Sequence, residues 1–480
     1  MKLILIEDMK RFAYLLFIAL FALNVQAQQA KYVFYFIGDG MGVNQINGTE
    51  MYIAANQGRI GIEPLLFPSF PVATVAATYS SSNPITDSAA GGTALATGVK
   101  TYNSAIGVDK DKNRIETIAE MAKKAGKKVG VATSVSIDHA TPASFYAHQE
   151  RRQMYYEIAT DLPKSGFDFF AGSGFLRPEQ TIDGKPAPSI YPMIDAAGYV
   201  IAHGIDEYKA KAATTDKMIL VQPEGATRVD CLPYAIDRKP GDLTLKQITE
   251  SAIDFLTKDK KSKGFFLMVE GGKIDWACHA NDAGAAFEEV IDMDEAVKVA
   301  YEFYKKHPKE TLIVISADHE TGGFALGNSN YWLYLENFKS QKCSIEEFSK
   351  KVTDYRRDHQ RDASWEGVKA LLTENFGFFD KVKFTWAEER QLRDAYEESF
   401  VNNNIRFDQS LYSSTDPMAT AAKLVLAKSA HIAWTTGGHT AGYVPVYVVG
   451  AGANLFMNGK VDNIDIARNI AKAAGYKFTN

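Results

Sequence analysis

An α/β fold, with a mostly parallel central sheet sandwiched between helices, is what this sequence predicts, on three observations. Short apolar runs of strand length recur along the chain. Longer amphipathic stretches lie between them. Acidic residues stand at the ends of several runs, where ligands gather in open parallel sheets. The runs are KYVFYFIG (31–38), KKVGVATS (127–134), GFFLMVEG (264–271), TLIVISAD (311–318) and YVPVYVVG (443–450). Continuous apolarity marks strands buried on both faces. Residues 114–124, 245–256, 283–304 and 464–474 carry apolar side chains at helical spacing. Thr244 with Gln247 predicts a capping box at one helix start.

The 480 residues suffice for one large domain or two smaller ones. A net charge of −5 without a basic stripe argues against a nucleic-acid partner. Cys231, Cys278 and Cys343 are too few and too scattered for a disulfide framework or a thiolate zinc site. One bridge would suit an exported protein, and the sequence does not choose the pair.

At the N-terminus, MKRFAYLLFIALFALNVQAQQ (9–29) joins Lys10 and Arg11 to an apolar run and the small-residue site Val25-Gln26-Ala27. This is a secretory signal pattern, with cleavage expected after Ala27. Glu7 and Asp8 are foreign to a basic leader, so Met9 offers an alternative start. No later segment reads as membrane-spanning, and residues 28–480 form the expected catalytic domain. From about 328 to 428 the alternation stops. This stretch is charged and helical, carries Trp332, Trp365 and Trp386, and predicts capping boxes at Ser344/Glu347 and Thr385/Glu388. It reads as an insertion that returns to the sheet near His431: a surface cover, a lid or a subunit contact.

Asp39 follows the first run, Glu270 ends the third, and Asp318-His319 follow the fourth. A single acidic residue after a strand is routine. Three such ends together favour a metal cluster. Asp275 and His279 share one face if helical, and His439 lies in a Gly/Thr-rich loop. Each alone is more often structural. Carboxylates and imidazoles without thiolates suit catalytic zinc with open positions. In ITDSAAGGTALATGVK (85–100), Asp87-Ser88 begins an expected helix to Thr97 with Gly98 as its stop. Its N-terminus favours an anion, and small residues after Ser88 leave room for a phosphate and two metals. The plainer alternative is an N-cap and nothing more.

With these residues assembled, the chain resembles the alkaline phosphatases. The likeness runs from 32 to about 324 and resumes from 431. TDSAAGGTALATGVKTYNSAIGVD matches the family's nucleophile signature, and FIGDGMG, HATPASFYAH, VEGGKIDWACH, SADHETGG and GGHTAGYVPV are similar to its other motifs. The resemblance implies one zinc held by Asp275, His279 and His439, and a second by Asp39, Asp318 and His319, with Ser88 as the reacting group. It implies a third ion, usually magnesium, on Asp39, Thr141 and Glu270. Arg152, four residues after His148, matches the phosphate-binding arginine; Arg151 is its neighbour. The implied reaction is monoester hydrolysis through a phosphoserine, usually by a homodimer.

Two positions depart from the enteric bacterial form of the family. His139 stands where that form has an aspartate beside the third metal, and Trp276 where it has a lysine near the phosphate. Some marine bacterial relatives carry the same pair. The third site is therefore open to zinc as well as magnesium. A phosphodiesterase or phosphonate hydrolase of the same superfamily is the alternative reading, since it would keep similar zinc ligands. A non-catalytic phosphate- or zinc-binding protein is another.

Overall fold

The computed structural model describes residues 29–226, 228–328 and 331–478; the expected leader, 1–27, lies outside them. Ten strands form one sheet: β1 (Tyr32–Gly38), β2 (Val72–Ala77), β3 (Lys128–Thr133), β4 (Phe169–Ala171), β5 (Tyr199–His203), β6 (Lys217–Val221), β7 (Phe265–Gly271), β8 (Thr311–Ser316), β9 (Val444–Gly450) and β10 (Val461–Asp462). Their order is β10-β2-β9-β8-β1-β7-β3-β4-β6-β5. All pairings are parallel except those of β9, which is antiparallel to both β2 and β8. All five expected strands are present. β1 lies between β7 and β8, with Ile37 opposite Glu270 on one side and Ser316 on the other. That register brings the ends of β1, β7 and β8 to one edge of the sheet.

Both faces of β1 are covered, as the side-chain alternation of a strand requires. Phe34 meets Phe303 of the Ala283–Lys306 helix edge-on, and Tyr35 meets Phe145 in the same way. Helix boundaries follow caps. Thr244 and Gln247 form the expected box ahead of Leu245–Thr257. The helix expected from 114 starts at Ile118, because Thr117 and Glu120 close a capping box there. A carboxylate or amide at the third position satisfies the free N–H groups, and this fixes where a helix begins.

Residues 328–428 are mainly helical, with Ile345–His359, Trp365–Phe376, Trp386–Tyr396 and Pro417–Ser429. They enclose a second apolar cluster that includes Phe348, Leu372 and Phe376 and takes in Tyr52 and Phe287 from helices of the sheet domain. One expectation is corrected here. The chain returns near His431 to a two-stranded ladder, Ile432–Trp434 on Phe324–Leu326, and rejoins the large sheet only at β9. Of the three tryptophans, Trp332 and Trp386 are exposed, whereas Trp365 is buried in the second cluster. Thr385 and Glu388 form a full capping box; at Ser344 the side chain accepts from the Glu347 N–H. All three cysteines are buried and unbridged.

Candidate active site

The strand ends converge because glycine lets backbones touch there. After β1 the chain turns through Gly40, whose φ is +71° and where a Cβ would lie 2.8 Å from Asp275 Oδ1. Asp275 and His279 occupy one face of the helix Lys273–His279, at the i, i+4 spacing expected. His439 arrives through a two-residue ladder in which His439–Thr440 pairs with Glu320–Thr321. The buried Glu320 carboxylate fastens that ladder, accepting from Gln45 Nε2 at 2.8 Å and from the Thr440 hydroxyl.

Three overlapping groups of acceptors result, each with its ligand atoms within 4.8 Å of one another: Asp275, His279 and His439; Asp39, Asp275 and His319; Asp39, His139 and Glu270. His279 Nε2 lies 3.1 Å from His439 Nε2 and 3.3 Å from Asp275 Oδ2. His319 Nε2 lies 3.3 Å from Asp39 Oδ1 and 3.4 Å from Asp318 Oδ2. Thr141 Oγ1 stands between Asp39 Oδ2 at 3.2 Å and Asp318 Oδ2 at 3.3 Å. The Glu270 carboxylate accepts from the Thr133 hydroxyl of the neighbouring strand. The free ring nitrogens are spoken for: His279 Nδ1 faces the Gly437 carbonyl at 2.6 Å and His439 Nδ1 the Thr86 carbonyl at 2.9 Å. Such contacts fix the tautomer and leave Nε2 available to a metal ion.

Ser88 is the first residue of the helix Ser88–Thr97, and Asp87 is its N-cap, accepting from the Ala90 N–H at 3.0 Å. Capping is therefore the work of Asp87, which leaves Ser88 Oγ 3.1 Å from His319 Nε2. Gly98 ends the helix at φ +70°. Two of the small residues also serve the packing of the protein itself. A Cβ at Gly91 would sit 2.9 Å from the Asp318 carbonyl oxygen, and one at Gly92 2.9 Å from Ser144 Oγ. Gly91 and Gly92 admit neighbouring protein, Gly91 in particular the backbone of the Asp318 segment.

Arg152 Nη1 donates to Asp87 Oδ2 at 3.3 Å, and Nη2 donates to Tyr412 Oη at 3.1 Å and lies 3.4 Å from His139 Nε2. Trp276 stacks on Tyr412 with centroids 4.3 Å apart. A cation stands near it despite the departure noted above, for Lys273 Nζ is 4.7 Å from the Trp276 ring. Sequence reasoning missed Tyr412, which lies in a polar stretch with no periodicity. It also missed Thr321, whose hydroxyl donates to Asp275 Oδ1 at 2.5 Å and sits 3.2 Å from His319 Nδ1.

The electrostatics demand cations. Asp39, Glu270, Asp275 and Asp318 are all fully buried. Burial, then the Asp318 charge, pushes the Asp39 carboxyl well above its ordinary range, and burial raises Glu270 to about 7. Asp275 is held low: burial would raise it, but His279, His439 and His319 outweigh that. Burial drives the His139 imidazole down to about 3, with Arg152 adding to the effect. Asp39 Oδ1, Glu270 Oε1, Asp275 Oδ2 and His139 Nδ1 have no hydrogen-bond partner. Buried acceptors turned on one another without donors fit divalent metal ions, and O/N ligands without sulfur fit zinc and magnesium.

Fold and site define a class, a metal-dependent hydrolase built at the carboxyl edge of a parallel α/β sheet. The sequence model of the family "Alkaline phosphatase" matches residues 30–172 and 227–476. Alkaline phosphatase 3 of Bacillus subtilis (strain 168) is 34% identical over 461 residues, covering 94% of this chain and 90% of its own. The cold-active alkaline phosphatase of the psychrophile Shewanella sp. superposes with a TM-score of 0.75 at 30% identity, over 92% of this chain and 99% of that one. A histidine-to-glutamate mutant of the TAB5 alkaline phosphatase, with magnesium in its M3 site, gives a TM-score of 0.65 at 27% identity, over 94% and 100%. The chain belongs to the alkaline phosphatase family. It is an enzyme that hydrolyses phosphate monoesters, and metal binding comes with the family.

Proposed function

We propose that Ser88 is the nucleophile and that hydrolysis passes through a phosphoserine. The observation that carries this is the position of Ser88 Oγ, 3.1 Å from His319 Nε2 at a helix N-terminus. Asp275, His279 and His439 would hold one zinc, and Asp39, Asp318 and His319 a second. Asp39, Thr141 and Glu270 would hold a third ion, magnesium, with His139 close enough to make zinc an alternative. When bound, these ions supply Lewis acidity to the phosphoryl group and to the reacting and leaving oxygens.

The chain's own residues do the rest. Ser88 Oγ loses its proton, forms the new P–O bond in line, and the ester alcohol leaves with its electron pair and takes up a proton. Water then displaces Ser88 from phosphorus, restoring the hydroxyl and releasing inorganic phosphate. Arg152 binds non-bridging phosphoryl oxygens through the planar fork of its guanidinium. The helix that begins at Ser88 directs the positive end of its dipole toward the same oxygens. Every one of these contacts falls on the phosphoryl group, which supports broad use of small monoesters. Secretory export with loss of residues 1–27, and pairing as a homodimer with 328–428 as rim or contact, complete the reading.

The test is chemical. Enzyme quenched in acid during turnover should yield a phosphopeptide containing Ser88, and Ser88→Ala should keep its metals while losing at least about a thousandfold in kcat. A label confined to another residue, or diester turnover exceeding monoester turnover, would reject the reading.

A further inference from the structure

We propose that Tyr412 is a positioning residue for Arg152, delivered to the site by a hairpin of the helical region. The hairpin pairs Asp408 with Thr415 and Gln409 with Ser414. Its tip is closed on itself, by Ser410 N–H to the Ser413 carbonyl at 2.8 Å and by the two serine hydroxyls at 2.8 Å. Its base is anchored. The Asp416 N–H donates to Ser349 Oγ at 2.7 Å, the Asp416 carboxylate pairs with Arg356 at 2.7 Å, and Lys423 reaches Asp408 at 3.1 Å. The tip is thus held at a fixed height over the sheet edge.

From that tip the Tyr412 ring lies parallel to Trp276 at 4.3 Å, within 9° of coplanar, with the rings of His139 and His279 at 5.7 and 5.4 Å. These contacts set the ring, and the ring sets the hydroxyl. Tyr412 Oη accepts from Arg152 Nη2 at 3.1 Å, while Asp87 Oδ2 accepts from Nη1 at 3.3 Å. One anchor leaves a guanidinium free to swing; two anchors on different nitrogens define its plane. A planar fork binds two phosphoryl oxygens well only when that plane is already set. The chemistry of the second anchor also matters. Asp87 already offsets part of the arginine charge, and a second carboxylate would cancel more of it. A neutral phenol orients the cation and leaves its charge for the phosphoryl group.

This inference rests on the reading of Arg152 as the phosphate-binding arginine, and the experiment separates the two. The metal-loaded full-length enzyme is assayed with a phosphate monoester and with inorganic phosphate as inhibitor. Tyr412→Phe keeps the ring and its stacking on Trp276 and removes only the hydroxyl. It should raise KM and the inhibition constant for phosphate together, roughly tenfold, as expected for a lost hydrogen bond to a charged group, with kcat little changed and metal content intact. In an Arg152→Ala background the same substitution should have no further effect on phosphate inhibition. An unchanged inhibition constant in Tyr412→Phe, or an equal effect in both backgrounds, overturns the proposal. Undiminished phosphate inhibition in Arg152→Ala alone overturns instead the assignment of Arg152.

Discussion

In the proposed third site, His139 is the side chain that would set which metal is held. Burial, assisted by Arg152, keeps its ring neutral, and Nδ1 has no hydrogen-bond partner. A neutral imidazole beside Asp39 and Glu270 suits zinc better than magnesium, which prefers oxygen ligands and water. His139→Asp should therefore tighten magnesium binding, read as the magnesium concentration that restores activity after chelation and as metal content. An unchanged magnesium requirement would remove His139 from the third site. Asp39, Glu270 and Asp318 were legible in the sequence because each follows a continuous apolar run, so strand and carboxylate announced one another. Asp275 and His279 were legible through helical spacing. Tyr412 was not, for it comes from a serine-rich hairpin whose position depends on tertiary anchors such as Arg356 with Asp416.

At the scale of elements, the helix Ser88–Thr97 is as much a spacer as a platform. Its Gly91 faces the Asp318 carbonyl so closely that an added methyl would stand 2.9 Å from a backbone oxygen, which cannot rotate away. Gly91→Ala should cost about 1–3 kcal/mol of stability and, if Asp318 and His319 hold a zinc as proposed, lower zinc content by displacing that pair. Calorimetry and metal analysis check this; an unchanged Tm with full zinc would mean that the helix slides without harm. The long strands β1, β7, β8 and β9 were legible because each is an almost unbroken apolar run, with Glu270 near the end of β7 the one carboxylate among them. The rest of the sheet was not. β4 has three residues and β10 two, too few to display a period, and β2 mixes buried, half-buried and one exposed position without alternation. β5 and β6 lie in 173–226, the stretch between the two ranges that the family model matches.

At the scale of the molecule, Lys127 ties the beginning of the described chain to its end. Its ammonium donates to the carbonyls of Ala30 at 3.0 Å and Lys31 at 2.8 Å and lies over the Tyr476 ring. Burial, with the Lys31 charge adding to it, pushes its pKa down to about 8. The unfolded chain, near 10.5, then holds more protons than the folded one between about pH 8 and 10.5, so the Lys127 contribution to stability rises with pH across that window. Below pH 8 the buried charge is a cost, on the order of 1–3 kcal/mol. Lys127→Met should flatten the pH dependence of Tm between pH 8 and 10. An identical slope in the variant would place the dependence elsewhere.

The antiparallel β9 has a temporal meaning. His439 and β9 come late in the chain, yet β9 fills the gap between β8 and β2, and His439 belongs to the same acceptor cluster as Asp275 and His279. Until that stretch is available to fold, the sheet lacks the strand between β8 and β2 and the cluster lacks a member. A chain cut short before His439 should therefore be inactive on phosphate monoesters.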